Sequence, residues 1–293
     1  KETELPAPED NIVTSKHTLR IKGKEIRYTV NVGTVVLKEE VDKKGHQPKA
    51  EMFFIAFTRD GQKNPARRPL TFSFNGGPGS SSVWMLLGLL GPKRVPLSLD
   101  DAVAENRLAP PFQLENNELT LLEDTDLVFI DPVGTGYSRP LAGDENDPDE
   151  FYTFRRDLDS VGEFIRLYTS RNQRWNSPKF LIGESYGTTR AAGLSGYLQE
   201  RHGFYLNGIM LISSVLDFQT IRFMNGNDLP YILYLPSFTA TAWYHNLLDE
   251  ELQADLYQTL REVEEFAVGE YTVALMKGAD LPEDGRQDII RKL

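Results

Sequence analysis

Cysteine is absent from this 293-residue chain, which excludes disulfides, thiolate metal sites and a cysteine nucleophile. Long apolar runs are also missing: the stretch at residues 83–90 falls far short of the roughly 20 residues that cross a bilayer. Positive charge is in deficit, with 32 Lys and Arg against 43 Asp and Glu and a formal net charge of -11. The composition therefore predicts no nucleic-acid or membrane partner, and small or peptidic partners fit better.

The organisation of the chain is read from changes in composition along it. Residues 1–15 are polar and interrupted by proline, which is typical of a loose arm. Residues 16–219 hold the runs that predict a sheet, and residues 220–293 turn helical, with one long helix marked by apolar positions from Leu252 to Val263. The expected organisation is an arm, an α/β core and a helical region.

Both ends of the chain carry a further expectation. The chain begins with Lys1 rather than Met, so an N-terminal segment either is removed by the cell, as a signal peptide is, or is not included in this sequence. With a signal peptide, the protein is expected to be secreted or periplasmic. The last predicted helix reaches Leu293 without a Gly or Asn cap. We therefore expect the helical region, and the sheet before it, to be incomplete in these residues.

Strand signals fall into two groups. Three β-rich runs between residues 18 and 58 are separated by polar turns and predict antiparallel strands at one edge of a sheet. Four short apolar runs are typical of buried central strands. These lie at residues 70–74, 127–130, 179–182 and 208–212. With an amphipathic crossover helix from Phe154 to Tyr168, they predict an α/β fold with a mixed, mostly parallel sheet.

Ser185 stands where an apolar strand changes into a helix rich in small residues. Residues 183–187 read Gly-Glu-Ser-Tyr-Gly, a G-x-S-x-G pattern whose glycines permit a tight turn that lifts a serine hydroxyl above the sheet. A nucleophilic serine needs backbone donors for an oxyanion, and the amide of Tyr186 is expected to be one. The alternative is an ordinary strand-to-helix turn in which the serine only caps the helix.

A second glycine-rich segment, FNGGPGSSS at residues 74–82, directly follows the predicted strand at residues 70–74. Missing side chains let backbone amides approach a substrate, so this segment is a candidate for the second oxyanion donor. The alternative is a simple turn before a helix, because glycine, proline and serine cluster in turns.

These two motifs, with LVFIDPVGTGYSRP between them at residues 127–140, resemble the serine carboxypeptidase family of the α/β-hydrolase fold, and its bacterial branch most. The resemblance extends from about residue 18 to residue 248. It implies a serine-type carboxypeptidase that acts on peptides with a free C-terminus, with the helical region after residue 220 as a cap. No phosphate loop, dinucleotide fingerprint or metal-ligand spacing occurs, so no cofactor and no metal are expected.

The resemblance also implies roles for particular residues. Those expected at the reacting carbonyl, as nucleophile and as oxyanion donors through their backbone amides, are Ser185, Gly77 and Tyr186. Those expected to bind the C-terminal carboxylate of the peptide are Asn75, Gly76 through its amide, and Glu184. Glu184 beside that carboxylate would place two like charges in a poorly solvated pocket, so one carboxyl should hold a proton and acidic pH should favour hydrolysis. The alternative is a glutamate that only fixes the turn.

Two positions depart from the family pattern. Family members usually place a second glutamate where this chain has Leu89, and a cysteine where it has Ser80. The disulfides of eukaryotic members cannot form here, because the chain has no cysteine. These differences bear on the strength of carboxylate recognition.

The histidine that would activate Ser185 is not evident. In α/β-hydrolases the triad follows the chain order Ser, Asp or Glu, then His. His202 follows Ser185 on the same predicted helix, roughly 25 Å away at about 1.5 Å per residue, and cannot reach it. Asp217 and His245 satisfy the order, although His245 lies in an amphipathic helical stretch. By resemblance, the triad acid and base lie C-terminal to this chain, on a remainder of the same protein that is its expected partner.

Three functions stay open. The favoured one is a carboxypeptidase that forms an acyl-enzyme at Ser185. The second is an acyltransferase or esterase on the same scaffold, and the third is a non-catalytic binder of peptide ends.

Overall fold

The computed structural model describes residues 8–96, 113–141 and 148–293. The chain divides into two compact units, residues 1–216 and residues 217–293. The first unit holds the sheet, and the second is helical. Residues 1–7 of the predicted arm lie outside the described residues.

The sheet has antiparallel strands on one side and parallel strands on the other. In chain order the strands are β1 (Asn11–Ile21), β2 (Lys24–Val41), β3 (Gly45–Arg59), β4 (Leu70–Phe74), β5 (Lys93–Arg94), β6 (Glu115–Asn116), β7 (Asp126–Ile130), β8 (Arg139–Pro140), β9 (Lys179–Glu184) and β10 (Gly208–Ile212). The main sheet runs β1-β2-β3-β7-β4-β9-β10, with β8 beside β3, while β5 and β6 form a separate pair. β7, β4, β9 and β10 are mutually parallel. The predicted α/β class with a mixed, mostly parallel central sheet is confirmed.

The antiparallel edge begins earlier than the sequence suggested. β1 pairs with β2 along its whole length, from Asn11 opposite Thr34 to Ile21 opposite Lys24. The prediction of a loose arm is therefore wrong for residues 11–15. The physical reason is that this part of β1 is exposed on both faces, so its side chains carry no apolar alternation to reveal the strand.

The parallel strands are apolar because they are covered on both faces. Successive side chains of a strand point to opposite faces, and β7 sends Val128 and Ile130 into one cluster and Leu127 and Phe129 into the other. Helices cover the first cluster. The second cluster includes Met85, Leu86 and Leu90 from the segment that follows β4. The site described below lies where these strands end.

Two long helices pack on the first face of the sheet. These are α2 (Phe154–Arg171), which is the predicted crossover helix, and α3 (Tyr186–His202). Earlier in the chain, α1 (Val83–Met85) is a single helical turn. Thr153 caps α2 by accepting a hydrogen bond from the amide of Arg156. α3 ends at Gly203, which has a φ of 58°. Because α3 follows β9 immediately, its first turn lies at the carboxyl edge of the sheet.

β10 differs from the central strand that the sequence predicted. Among the described residues it pairs with β9 alone and ends the sheet. Its side chains Ile209 and Met210 are 37% and 42% exposed. An apolar run indicates a strand that can be buried, but it does not give the strand's neighbours.

The second unit contains five α-helices among the described residues. They are α4 (Leu229–Tyr244), α5 (Glu250–Gln253), α6 (Leu256–Phe266), α7 (Thr272–Lys277) and α8 (Glu283–Lys292). The single long helix predicted around Leu252 to Val263 is wrong, because Asp255 breaks it. The Asp255 side chain accepts hydrogen bonds from the amides of Tyr257 and Gln258 and thereby caps α6. No helix in the described residues has the length and apolar character to cross a membrane.

Candidate active site

Ser185 occupies a strained turn between β9 and α3. Its φ and ψ are 57° and -125°, a conformation that residues with side chains rarely adopt and that costs about 1–3 kcal/mol. The Ser185 amide donates to the carbonyl oxygen of Ile212 on β10 at 2.9 Å. The Ser185 side chain makes no capping hydrogen bond to α3, and the residue is half-buried. The turn therefore leaves the hydroxyl at the carboxyl edge of the sheet without a hydrogen bond to the described residues, and the capping alternative is wrong.

The predicted glycine-rich segment packs backbone to backbone against this turn. A Cβ atom on Gly76 would lie 2.5 Å from the amide nitrogen of Tyr186 and 2.6 Å from the carbonyl oxygen of Glu184. Within the turn, a Cβ on Gly183 would lie 2.0 Å from the carbonyl oxygen of Gly187. No side chain fits at either position, so both glycines are needed for close approach. The structure thus brings the two sequence motifs together.

Two backbone donors of the glycine-rich segment have no partner within the described residues. The amide N–H groups of Gly76 and Gly77 donate to no acceptor there, while the Gly76 carbonyl accepts from the amide of Ser80 at 3.1 Å. Polar backbone groups of a folded segment are normally paired. Unpaired amides beside a strained serine are therefore suited to an anionic ligand or to a developing negative charge.

Asp131, which follows β7, holds the far end of the glycine-rich segment. Its carboxylate accepts hydrogen bonds from the Ser82 amide at 2.8 Å and from the Ser81 hydroxyl at 3.0 Å. Ser82 also donates its hydroxyl to the carbonyl oxygen of Ile130. Asp131 is 4% exposed, so these bonds are shielded from water. They fix the segment to the end of a central strand.

Asn75 and Glu184 form a hydrogen-bonded pair at the edge of the same site. Asn75 Nδ2 donates to Glu184 Oε2 at 3.0 Å, and Asn75 Oδ1 accepts from the Met85 amide at 2.9 Å. Both residues line a cleft of about 520 Å³. The other residues lining it are Ser80, Trp84, Met85, Gly88, Leu89 and Ile212. A carboxylate, a carboxamide and apolar side chains therefore meet in one cleft beside the turn.

A buried polar cluster lies beneath the turn. Arg190 on α3 donates through Nε to both carboxylate oxygens of Asp157 on α2, each at 2.9 Å, and through Nη1 to the carbonyl oxygen of Asn75 at 2.9 Å. The Tyr186 hydroxyl bonds to the same Asp157 carboxylate. Burial raises the pKa of Tyr186, and the Asp157 charge raises it further. This cluster joins the turn, both helices and the glycine-rich segment.

The sequence contains a signal for the cluster outside the two glycine-rich motifs. Asp157 lies four residues before Val161 on the buried stripe of α2, and Arg190 lies four residues before Leu194 on the buried stripe of α3. Opposite charges at apolar positions of two helices on one sheet face indicate a buried pair.

The histidines of the first unit lie away from the turn, and His245 belongs to the second unit. His202 ends α3, at the opposite end of that helix from Ser185, as its position in the chain predicted. His17 and His46 lie on β1 and β3 and are exposed. His245 caps the end of α4 and contacts the Tyr244 ring.

The alternative triad of Asp217 and His245 has no support within the second unit. Asp217 accepts the Gln219 amide at 2.9 Å and makes no hydrogen bond to His245 in that described segment. In the described ranges, no three His, Asp or Glu side chains are grouped as a metal site would need.

A parallel sheet, a strained serine turn at its carboxyl edge and a glycine-rich segment against that turn together define an α/β-hydrolase. The sequence model of the family described as serine carboxypeptidase matches residues 41–277. The chain belongs to the serine carboxypeptidase family.

Relatives in sequence and structure are named as carboxypeptidases or as carboxypeptidase-like. The chain is 33% identical over 163 residues to the pheromone-processing carboxypeptidase KEX1 of Saccharomyces cerevisiae, covering 54% of this chain and 20% of that protein. It is 26% identical over 144 residues to serine carboxypeptidase-like 5 of Arabidopsis thaliana, covering 48% of this chain and 30% of that protein. The crystal structure of the yeast prohormone-processing carboxypeptidase Kex1(delta)p aligns with a TM-score of 0.53 and 22% identity, covering 83% of this chain and 49% of that chain. The chain thus spans at most about half the length of these relatives.

Proposed function

We propose that the protein containing this chain is a serine carboxypeptidase that removes residues from the C-terminus of peptides. The observation that carries the proposal is the contact between the strained Ser185 turn and the backbone of Gly76, with the Asn75–Glu184 pair beside it. This contact places a nucleophile next to groups suited to a carboxylate. An endopeptidase has no need of the second feature.

In the proposed reaction, Ser185 Oγ attacks the carbonyl carbon of the last peptide bond while its proton passes to a base. The amides of Gly77 and Tyr186 hold the resulting oxyanion. Collapse of the intermediate breaks the C–N bond, and the departing amine takes the proton from the base. Water then hydrolyses the acyl ester, releasing the shortened peptide and regenerating the serine.

Recognition of the chain end falls to the groups in the cleft. The substrate carboxylate accepts from the Gly76 amide and lies near Asn75 and Glu184. Leu89 lines this cleft where the family pattern has a second glutamate, so Glu184 acts without that partner.

We place the triad acid and base on sequence C-terminal to residue 293. Two observations support this placement: within the first unit, the described histidines lie away from the turn, and β10 leaves apolar side chains and a strand edge uncovered. An unpaired edge strand with exposed Ile209 and Met210 is suited to a further strand of the same sheet. The intact mass of the natural protein tests this, since a mass that equals residues 1–293 alone would contradict it.

The reaction is tested with a fluorophosphonate and with peptide substrates on the natural full-length protein. We expect the reagent to label Ser185, and peptides with a free C-terminus to lose their last residues, whereas the matching C-terminal amides react poorly. Ser185→Ala should abolish labelling and lower kcat/KM by at least about 10⁴-fold, with no loss of thermal stability.

Each alternative has its own outcome in these measurements. Labelling with transfer of the acyl group to an added alcohol, and without peptide shortening, would replace the peptidase by an acyltransferase. Absence of labelling would favour a binder of peptide ends.

A further inference from the structure

Arg190 is enclosed to a degree that is rare for a charged side chain. It is 1% exposed, and its guanidinium carbon lies 5.3 Å from the centres of both the Phe74 and the Tyr186 rings. Its partner Asp157 is 8% exposed. Burying such a pair adds little stability compared with apolar side chains of similar volume. Stability therefore does not explain why the Arg190–Asp157 pair lies beneath the Ser185 turn.

The second hydrogen-bond partner of Arg190 supplies that explanation. Arg190 Nη1 donates to the carbonyl oxygen of Asn75 at 2.9 Å. This oxygen belongs to the same planar peptide group as the Gly76 amide. The Asn75–Gly76 bond is trans, so the Gly76 N–H points away from the side on which Arg190 binds the carbonyl. Holding the oxygen from beneath therefore fixes the direction of the N–H above.

The same contact makes the Gly76 N–H a stronger donor. A cationic donor on a carbonyl oxygen withdraws electron density from the peptide group, and hydrogen bonds in such a chain strengthen one another. The Gly76 N–H donates to nothing among the described residues, so this donor strength is available to a ligand. The Asp157 carboxylate and the two rings prevent the guanidinium from turning away.

We propose that Arg190 is a positioning residue that sets the affinity for the substrate's terminal carboxylate, acting through the Asn75–Gly76 peptide group. This inference rests on the proposed function. Arg190 touches neither the substrate nor the reacting atoms. Its contribution belongs to KM for substrates that carry a free carboxylate, and much less to the acylation of substrates that lack one.

The experiment compares Arg190→Lys with a matched control in the whole natural protein. Lysine keeps the charge beside Asp157 but lacks the planar fork that reaches Asp157 and Asn75 together. The control is Arg174→Lys, the same change at another buried arginine, 5% exposed, which bonds to Asp126 and to the carbonyl oxygen of Arg68 at the opposite edge of the sheet. The two substrates share one acyl group, one as a peptide with a free C-terminus and the other as its p-nitrophenyl ester.

For Arg190→Lys we expect KM for the peptide to rise about tenfold, because the Gly76 amide loses its fixed direction and part of its donor strength toward the carboxylate, while kcat/KM for the ester falls less than threefold. Arg174→Lys should lower the melting temperature and leave the ratio between the two substrates as in the wild type. Equal losses on peptide and ester for Arg190→Lys, or no change on either, would overturn the inference.

The experiment also distinguishes a failure of the proposed function and a failure of the variant to fold from a failure of the inference. A wild-type protein that shows no preference for free carboxylates contradicts the proposed function itself, whatever Arg190→Lys does. If Arg190→Lys does not accumulate as folded protein, Asp157→Asn gives a second test, because it loosens the guanidinium without removing it. A smaller rise in KM confined to the peptide would support the inference, and equal losses on both substrates would contradict it.

Discussion

Two buried arginine clusters lie at opposite edges of the same sheet and differ in what they leave unpaired. At the amino edge, Arg68 and Arg174 share the Asp126 carboxylate, at 2.8 Å and 2.6 Å. At the carboxyl edge, Arg190 is held by Asp157 and binds the carbonyl oxygen of Asn75. Both clusters join strands to neighbouring segments, and within the described residues the second also supports backbone amides, those of Gly76 and Gly77, that have no partner.

The charged groups of the amino-edge cluster are hydrogen-bonded to one another and to neighbouring backbone groups. The Asp126 carboxylate also accepts the Arg59 amide, and the guanidinium of Arg68 donates to the carbonyl oxygens of Leu122 and Glu123. At the carboxyl edge, the strained Ser185 lies beside the Gly76 and Gly77 amides, which have no partner in the described chain. Parallel sheets bind ligands at the carboxyl ends of their strands. The comparison adds a physical reason: here one edge uses its polar groups to hold the strands, and the other keeps some for binding.

The largest effect that would sharpen this comparison is expected from Asp126→Asn. It removes a buried charge that two arginines and an amide share, and breaking a buried pair in this way costs about 3–5 kcal/mol. We expect the free energy of unfolding to fall by that amount in urea titrations, with kcat/KM per folded molecule unchanged. Glu25→Gln, which disrupts the exposed pair with Arg27, is the matched control and should change stability by less than about 1 kcal/mol. A selective loss of peptide hydrolysis in Asp126→Asn would break the division between the two edges.

Gly76→Ala should have the next largest effect, now on activity. The added methyl group would meet the Tyr186 amide nitrogen at 2.5 Å, so it would displace an expected oxyanion donor. Loss of one such donor lowers kcat by about 10²–10³-fold, which steady-state kinetics on the ester measures. The control is Gly196→Ala on α3, where the new Cβ meets nothing within 4 Å, and which should stabilise the helix by up to about 1 kcal/mol. Activity in Gly76→Ala near the wild-type value would remove Tyr186 from the oxyanion site.

The two edges were unequally accessible from the sequence. The Ser185 turn was predictable because its pattern is local: a strand, two glycines and a helix within one segment. The polar cluster beneath it joins Asn75, Asp157 and Arg190, which lie far apart in the chain, and its geometry depends on how α2 and α3 rotate on the sheet. Helical periodicity gives the buried stripe of each helix but not which residues of two stripes meet. The strand β10 was also predictable from a local pattern, its apolar run. Its place at the end of the sheet was not predictable from that run.

The smallest effect is expected from His202, at the end of α3 that lies near the amino edge. Burial lowers the pKa of His202 below its ordinary value, with Arg166 and Arg201 lowering it further against the opposing effect of Glu163 and Asp159. The unfolded chain therefore binds a proton more readily than the folded one, so stability is fully present above about pH 6.5 and is lost as pH falls through the lower folded value. We expect the free energy of unfolding of the wild type to fall more steeply from pH 8 to pH 5 than that of His202→Gln, which cannot titrate there. Parallel pH profiles of the two proteins would contradict this expectation.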